Sequence, residues 1–172
     1  MNGLQLGEVA CHIGAQHLGR DAWIDLPQLL VEDTRTGLGR LAAHWRRVYG
    51  RRLIAVTGSN GKTTVKEMIR LILEERYPVL ATRGNLYNDI GLPLTLLKLQ
   101  GEPFAVVEMG ANHPGEIAYL SGLARPDLVV LNNVGAAHLE GFGNLAGVAR
   151  AKGEIISGLG GDGLVILNGD DP

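Results

Sequence analysis

Residues 53–76, LIAVTGSNGKTTVKEMIRLILEER, decide the fold. The aliphatic run Leu53–Thr57 ends in a glycine-bounded turn and opens into a segment whose apolar positions recur with helical spacing. Val65, Met68, Ile69, Ile72 and Leu73 fall on one stripe, while Lys66, Glu67, Arg70 and Glu74 face away. Strand, Gly-rich turn and helix in that order suit a phosphate. Gly58 and Gly61 let the backbone approach an anion, and the helix start presents unpaired N–H groups. Lys62 adds a cation, and the Thr63 hydroxyl adds an oxygen for Mg²⁺. Ser59, Asn60 and Thr64 complete the candidate phosphate-binding set. The loop departs from G-x-x-x-x-G-K-[ST], because Val56 occupies the first glycine position and leaves a shortened T-G-x-x-G-K-T. A plain turn with a solvated lysine is the alternative. The expected ligand is a nucleoside triphosphate; no N-K-x-D string is present to read guanine.

Working outward, short aliphatic runs alternate with helical patterns from Arg51 onward. Strands are expected at 53–57, 79–82, 104–109, 128–132 and 164–168, and helices at 62–76, 89–99, 115–124 and 145–159. The strands are nearly continuous apolar runs, as in sheets covered on both sides. The expected architecture is α/β: a P-loop-type, mostly parallel sheet with helices on both faces. The first 50 residues offer a helix at 5–19, a strand at 28–32 and a helix at 34–47, too little for a separate core.

Composition closes other doors. Glycine numbers 25 of 172 residues, about twice ordinary usage, with no G-X-Y period. A net charge of −2 offers no global field for nucleic acid. No apolar run approaches the ~18 residues of a membrane span, and the N-terminus carries no positively charged signal region. Cys11 has no partner for an internal disulfide. A cytoplasmic protein without nucleic-acid or membrane partners is expected.

Polar residues after the later strands are the remaining candidates, since open α/β sheets bind ligands beyond the carboxyl ends of their strands. Glu108 is either a solvated strand-end acid or a magnesium ligand beside the phosphate loop. His138 and Glu140, in the turn after Asn132-Asn133, are loop residues or site residues. Residues 82–93, TRGNLYNDIGLP, form a polar loop with Asp89 as a helix cap; they either line the cleft or merely connect. Lys152 shares a face with Val148, Ala149, Ile155, Ile156 and Leu159. It either points inward, where desolvation favours its neutral amine, or snorkels to the edge of the stripe.

Taken together, TGSNGKTT, GNLYNDIGLP, VVEMGANHPGEI and NNVGAAHLEGFGNLAGVARAKGEI resemble the Mur ligases of peptidoglycan synthesis. GANHPGEIA and AAHLEGFGNLAGVARAKGEI are most similar to the branch that adds D-Ala-D-Ala to UDP-N-acetylmuramoyl-tripeptide. The resemblance covers about Trp23–Pro172, and LQLGEVACHIGAQHLGRDA is similar to the family's extreme start. It implies ATP and Mg²⁺ as cofactors and amide formation through an acyl phosphate. By motif, Lys62 would hold the β- and γ-phosphates. Thr63, Glu108 and His138 would serve magnesium, Lys152 would be carbamylated to hold a second one, and Asn85 and Asn88 would lie near phosphate or substrate. It further implies residues 1–49 as a shortened UDP-substrate segment, its middle missing between about Asp21 and Trp23. Residues 50–172 would be the central ATP-binding domain, incomplete at its C-terminal side. The expected protein is a monomer with an open sheet edge, without full ligase turnover by itself. A non-catalytic nucleotide-binding module and another Mur-type or folylpolyglutamate-type amide ligase are the competing readings.

Overall fold

The computed structural model describes residues 6–20, 27–136 and 139–171. In chain order these form α1 (Leu6–Ile13), β1 (Gln16–Arg20), β2 (Pro27–Leu30), α2 (Thr34–Tyr49), β3 (Arg52–Thr57), α3 (Lys62–Glu74), β4 (Val79–Ala81) and α4 (Gly91–Leu96). There follow β5 (Phe104–Glu108), α5 (Glu116–Ala124), β6 (Leu128–Leu131), α6 (Leu139–Phe142), α7 (Leu145–Gly153), a 3-10 turn (Glu154–Gly158) and β7 (Leu164–Leu167).

β3 lies at the middle of a five-stranded parallel sheet of order β4-β5-β3-β6-β7. Alternation along each strand builds two layers. Leu53 and Ala55 of β3, Ala105 and Val107 of β5, and Val129 of β6 turn towards α2, α4, α5 and α7. Ile54 and Val56, with Val106 and Val130, meet Val65, Ile69 and Leu73 of α3 on the opposite face. The α/β architecture expected from the sequence is therefore the one observed.

Several local expectations are corrected. The expected helix over 5–19 ends at Ile13: Gly14 takes a left-handed backbone (φ +65°), and Gln16–Arg20 pairs antiparallel with Pro27–Leu30 instead. Residues 21–23, where a missing stretch was expected, lie outside the described residues. On α3, Met68 and Ile72 are exposed (58% and 72%), whereas Lys66 is buried. The inward line runs through half-buried Val65, Ile69 and Leu73 and the buried Lys66, so Lys66 shares its face with Ile69 and Leu73 rather than opposing them. The helix expected over 145–159 is α-helical only to Gly153 and tightens to 3-10 at Glu154, whose carboxylate accepts from Gly115 N and Ala118 N. Ala149 and Ile156 are exposed, leaving Val148, Ala151, Lys152 and Ile155 as the inward line. β7 forms at the sheet edge with all four side chains exposed, unlike a strand covered on both faces.

α2 joins the same core as the sheet. Ala42 is fully buried in it, and Trp45 Nε1 donates to Leu99 O (2.8 Å). Arg46 donates to Ala124 O (3.0 Å) and to Asp127 Oδ2 (3.2 Å), the oxygen that also accepts from Leu53 N (2.7 Å).

Candidate functional site

The chain crosses from β3 through α3 to β4, returns to β5 beside β3, then passes to β6 on the other side. That reversal opens a crevice at the carboxyl ends of the strands. The turn between β3 and α3 is held open by its two glycines. Gly58 has φ +152°, and a Cβ there would meet Asn132 Cβ at 3.1 Å and Asn133 N at 3.2 Å. Gly61, at φ +71°, caps α3 without any side-chain bond to its first-turn amides. Those amides are the orphan donors of a helix start, available to an anion.

The outer half of the loop is braced by residues 132–135. Ser59 N donates to Asn133 O (3.0 Å), and Asn60 N donates to Asn133 Oδ1 (2.9 Å). Ser59 Oγ and Gly135 bond each other in both directions, and Asn132 Nδ2 donates to Asn60 O (2.8 Å). Ser59 and Asn60 thus spend their amides on the scaffold, which leaves Gly61, Lys62, Thr63 and Thr64 as the anion-facing part. Lys62 Nζ curls back onto Gly58 O (3.0 Å) and Ser59 O (3.4 Å).

Thr63 and Glu108, 45 residues apart, meet at the cleft floor, the Thr63 hydroxyl donating to Glu108 Oε2 at 2.8 Å. Glu108 is buried, which favours the site reading over a solvated strand-end acid. Lys152 is 1% exposed and points inward, so it does not snorkel. Its Nζ sits 5.7 Å from the centre of the Phe142 ring and has no hydrogen-bond acceptor among the described residues. Burial, reinforced by the Lys62 charge and only partly countered by Glu116 and Glu154, brings its pKa down to about 8.

Lys62, Thr63, Asn88, Glu108 and Lys152 line one cleft of about 890 Å³. Asn85 does not line it and is exposed. Asn88 reaches the cleft, but its Oδ1 accepts from Gly91 N (2.8 Å), so Asn88 caps α4. Asp89, expected as that cap, pairs instead with Arg35 at 2.5 Å. Glu140 is exposed and outside the cleft lining, and His138 lies outside the described residues.

Other cleft residues carried no sequence signal. Asp33, Arg35 and Thr36 come from the start of α2, and Tyr119 from α5; Tyr87, like Asn88, belongs to the 82–93 loop, for which lining the cleft was one of the two expectations. Glu116 also faces in. Partial burial raises its pKa, but hydrogen bonds from the Asn112 amide and from His113 outweigh that and hold the carboxyl below its ordinary range. Its pattern reads only as a helix-start acid. Among the described residues no cluster of three or more His, Cys, Asp or Glu side chains could cage a metal. A metal here would take the hard oxygens of Thr63 and Glu108 plus ligand and water oxygens, a donor set that fits Mg²⁺.

The description of the Mur ligase middle domain matches residues 56–172, which contain the phosphate loop, Glu108 and Lys152. The chain belongs to the Mur ligase family. Among relatives of this Mur ligase chain, the UDP-N-acetylmuramoyl-tripeptide–D-alanyl-D-alanine ligase of Escherichia coli K12 is 55% identical over 92% of this chain and 35% of its own length. A crystal structure of MurF from Acinetobacter baumannii superposes with a TM-score of 0.82 at 45% identity, over 88% of this chain and 34% of that one. MurF from Thermotoga maritima, solved in complex with ADP, gives 0.79 at 40% identity, over 83% and 34%. The chain spans about a third of the length of these relatives. No helix among the described residues is long and apolar enough to cross a membrane.

Proposed function

We propose that this chain carries the ATP- and magnesium-binding centre of a ligase that joins D-Ala-D-Ala to UDP-N-acetylmuramoyl-tripeptide. Residues 50–172 form the ATP-binding unit in this proposal, and residues 1–49 adjoin the UDP-substrate side. A cytoplasmic monomer acting without nucleic acid belongs to the same proposal. The observation that carries it is the Thr63–Glu108 contact at 2.8 Å, in one cleft with Lys62 and the inward Lys152.

The proposed roles join this geometry to what the family resemblance implies. The α3 amides of residues 61–64 take phosphate oxygens, and Lys62 exchanges its bonds to Gly58 O and Ser59 O for the β- and γ-phosphates. Thr63 and Glu108 offer two oxygens to Mg²⁺, with His138 added from the resemblance. Bound there, magnesium would neutralise charge on the transferring phosphoryl oxygens. With a pKa of about 8, Lys152 has a substantial neutral fraction near physiological pH. Its amine can therefore add to CO₂, form an N–C bond and release a proton, leaving a carbamate with two oxygen donors. In the reaction, the tripeptide carboxylate attacks the γ-phosphorus and ADP leaves. The D-Ala-D-Ala amine then displaces phosphate.

Titration with ATP and ADP, with and without Mg²⁺, tests the nucleotide half. Lys62→Ala removes a charge-assisted contact and should weaken binding by about tenfold or more. Equal binding by wild type and Lys62→Ala refutes the phosphate-loop assignment. Phosphate release on adding UDP-N-acetylmuramoyl-tripeptide and D-Ala-D-Ala should stay weak for this chain alone; robust turnover would overturn the expectation that it lacks full ligase turnover by itself.

A further inference from the structure

One buried charge beside the cleft has no part in the mechanism above. Lys66 stands on α3 three residues after Thr63, is 1% exposed, and donates from Nζ to Thr82 O at 2.7 Å. Its second acceptor is Glu67 Oε1, while the other carboxylate oxygen, Glu67 Oε2, accepts from Arg70 Nε at 2.6 Å. An aliphatic side chain would seal α3 onto the sheet without desolvating an ammonium, so packing alone does not account for a lysine here. What the lysine adds is a directed bond to Thr82, the residue just after β4.

Thr82 passes that constraint on. It is 1% exposed, its N–H donates to Val106 O (3.1 Å), and its hydroxyl oxygen accepts from Glu108 N (3.1 Å). The Glu108 carboxylate in turn accepts from Thr63. Glu108 is thus gripped at its backbone by Thr82 and at its carboxylate by Thr63. Both grips lead back to the same face of α3, one directly and one through Lys66. The distance between the Thr63 hydroxyl and the Glu108 carboxylate depends on where α3 sits against the end of β4, and the Lys66–Thr82 bond ties that placement directionally, beside the apolar packing of Val65, Ile69 and Leu73.

We propose that Lys66, acting through Thr82, is a positioning residue that sets Glu108 against Thr63 for magnesium. This rests on the magnesium-nucleotide reading of the cleft. Lys66 touches no ligand in it; it acts on Glu108 alone, as outer-shell partners do for metal ligands.

The test is ADP binding to the 172-residue chain by calorimetry, in EDTA and in excess Mg²⁺, with far-UV circular dichroism as the folding control. Lys66→Met should keep the wild-type spectrum and the affinity in EDTA, yet lose about tenfold of the gain that magnesium brings. Lys66→Arg, which can still donate to Thr82 O, should recover most of that gain. Thr82→Val keeps the carbonyl that Lys66 bonds but removes the acceptor for Glu108 N, and should lose the same gain; if Lys66→Met fails to fold, a Thr82→Val chain that keeps the full gain breaks the route through Thr82 and overturns the proposal. A crystal structure of either variant should show Glu108 displaced from Thr63. Folded variants that keep the full magnesium gain, while Glu108→Gln loses it, overturn the role of Lys66 alone. If Glu108→Gln and Thr63→Val keep the gain as well, or the wild type shows none, the magnesium reading falls and this inference with it.

Discussion

Replacing Lys152 by methionine should steady the fold at neutral pH and lose that advantage in alkali. Burial, with the Lys62 charge nearby, brings the Lys152 pKa from 10.5 to about 8. A lysine whose folded pKa lies below its unfolded one opposes folding while it is charged in the unfolded chain. The penalty is complete below the folded pKa and fades as pH climbs from about 8 towards 10.5. At about 1.36 kcal/mol per unit, the shift corresponds to roughly 3 kcal/mol near pH 7 and under about 1 kcal/mol near pH 10. Water reaching the ammonium through the cleft scales both figures down, to about half by the usual screening of open sites. Methionine keeps the length of the stem and removes the titration. Urea unfolding of both proteins, in degassed EDTA buffer without nucleotide, gives the difference in stability at each pH. Other lysines and tyrosines titrate in both chains and cancel. Any pH-independent offset, such as a difference in how the two stems pack, also leaves the slope unchanged. A difference that stays constant from about pH 7 to pH 10, or that grows with pH, would refute the desolvated Lys152.

Two further changes probe the scaffold. Asp127→Ala leaves the buried Arg46 guanidinium and the Leu53 amide without their shared acceptor; a loss of about 2 kcal/mol is expected in urea unfolding. Gly91→Ala would place a Cβ 2.4 Å from Leu86 Cα and 2.5 Å from Leu86 C, which only backbone movement can relieve. It should lower stability by about 1–3 kcal/mol, read as a drop in melting temperature.

Much of the site was legible because its pieces are local. The phosphate loop, its strand and its helix occupy one unbroken stretch, and turn glycines followed by Lys62 and Thr63 mark it without any long-range information. The place of Glu108 at a strand end was equally readable. Lys66 was misplaced for a physical reason: helical spacing sorts apolar from polar residues, and a lysine joins the apolar side only when a distant acceptor awaits it. That acceptor, Thr82 O, lies 16 residues further along. The start of α2 carried no signal for the cleft, since its approach to the loop at Asp89 depends on how the helix packs against α4 and α5. Asn85 and Asn88 looked alike in sequence, yet one stays outside the cleft lining and the other is drawn in while capping α4.

By itself the sequence determined the class of fold and the phosphate loop, because strand and helix periodicities and glycine turns act over a few residues. The tertiary structure alone decided which distant groups meet. It set the Thr63 hydroxyl on the Glu108 carboxylate, buried Lys152 so that its charge is disfavoured, and spent Ser59 and Asn60 on bracing rather than on the cleft. Those outcomes depend on parallel strands bringing their carboxyl ends side by side, and on the low dielectric that packing creates around them.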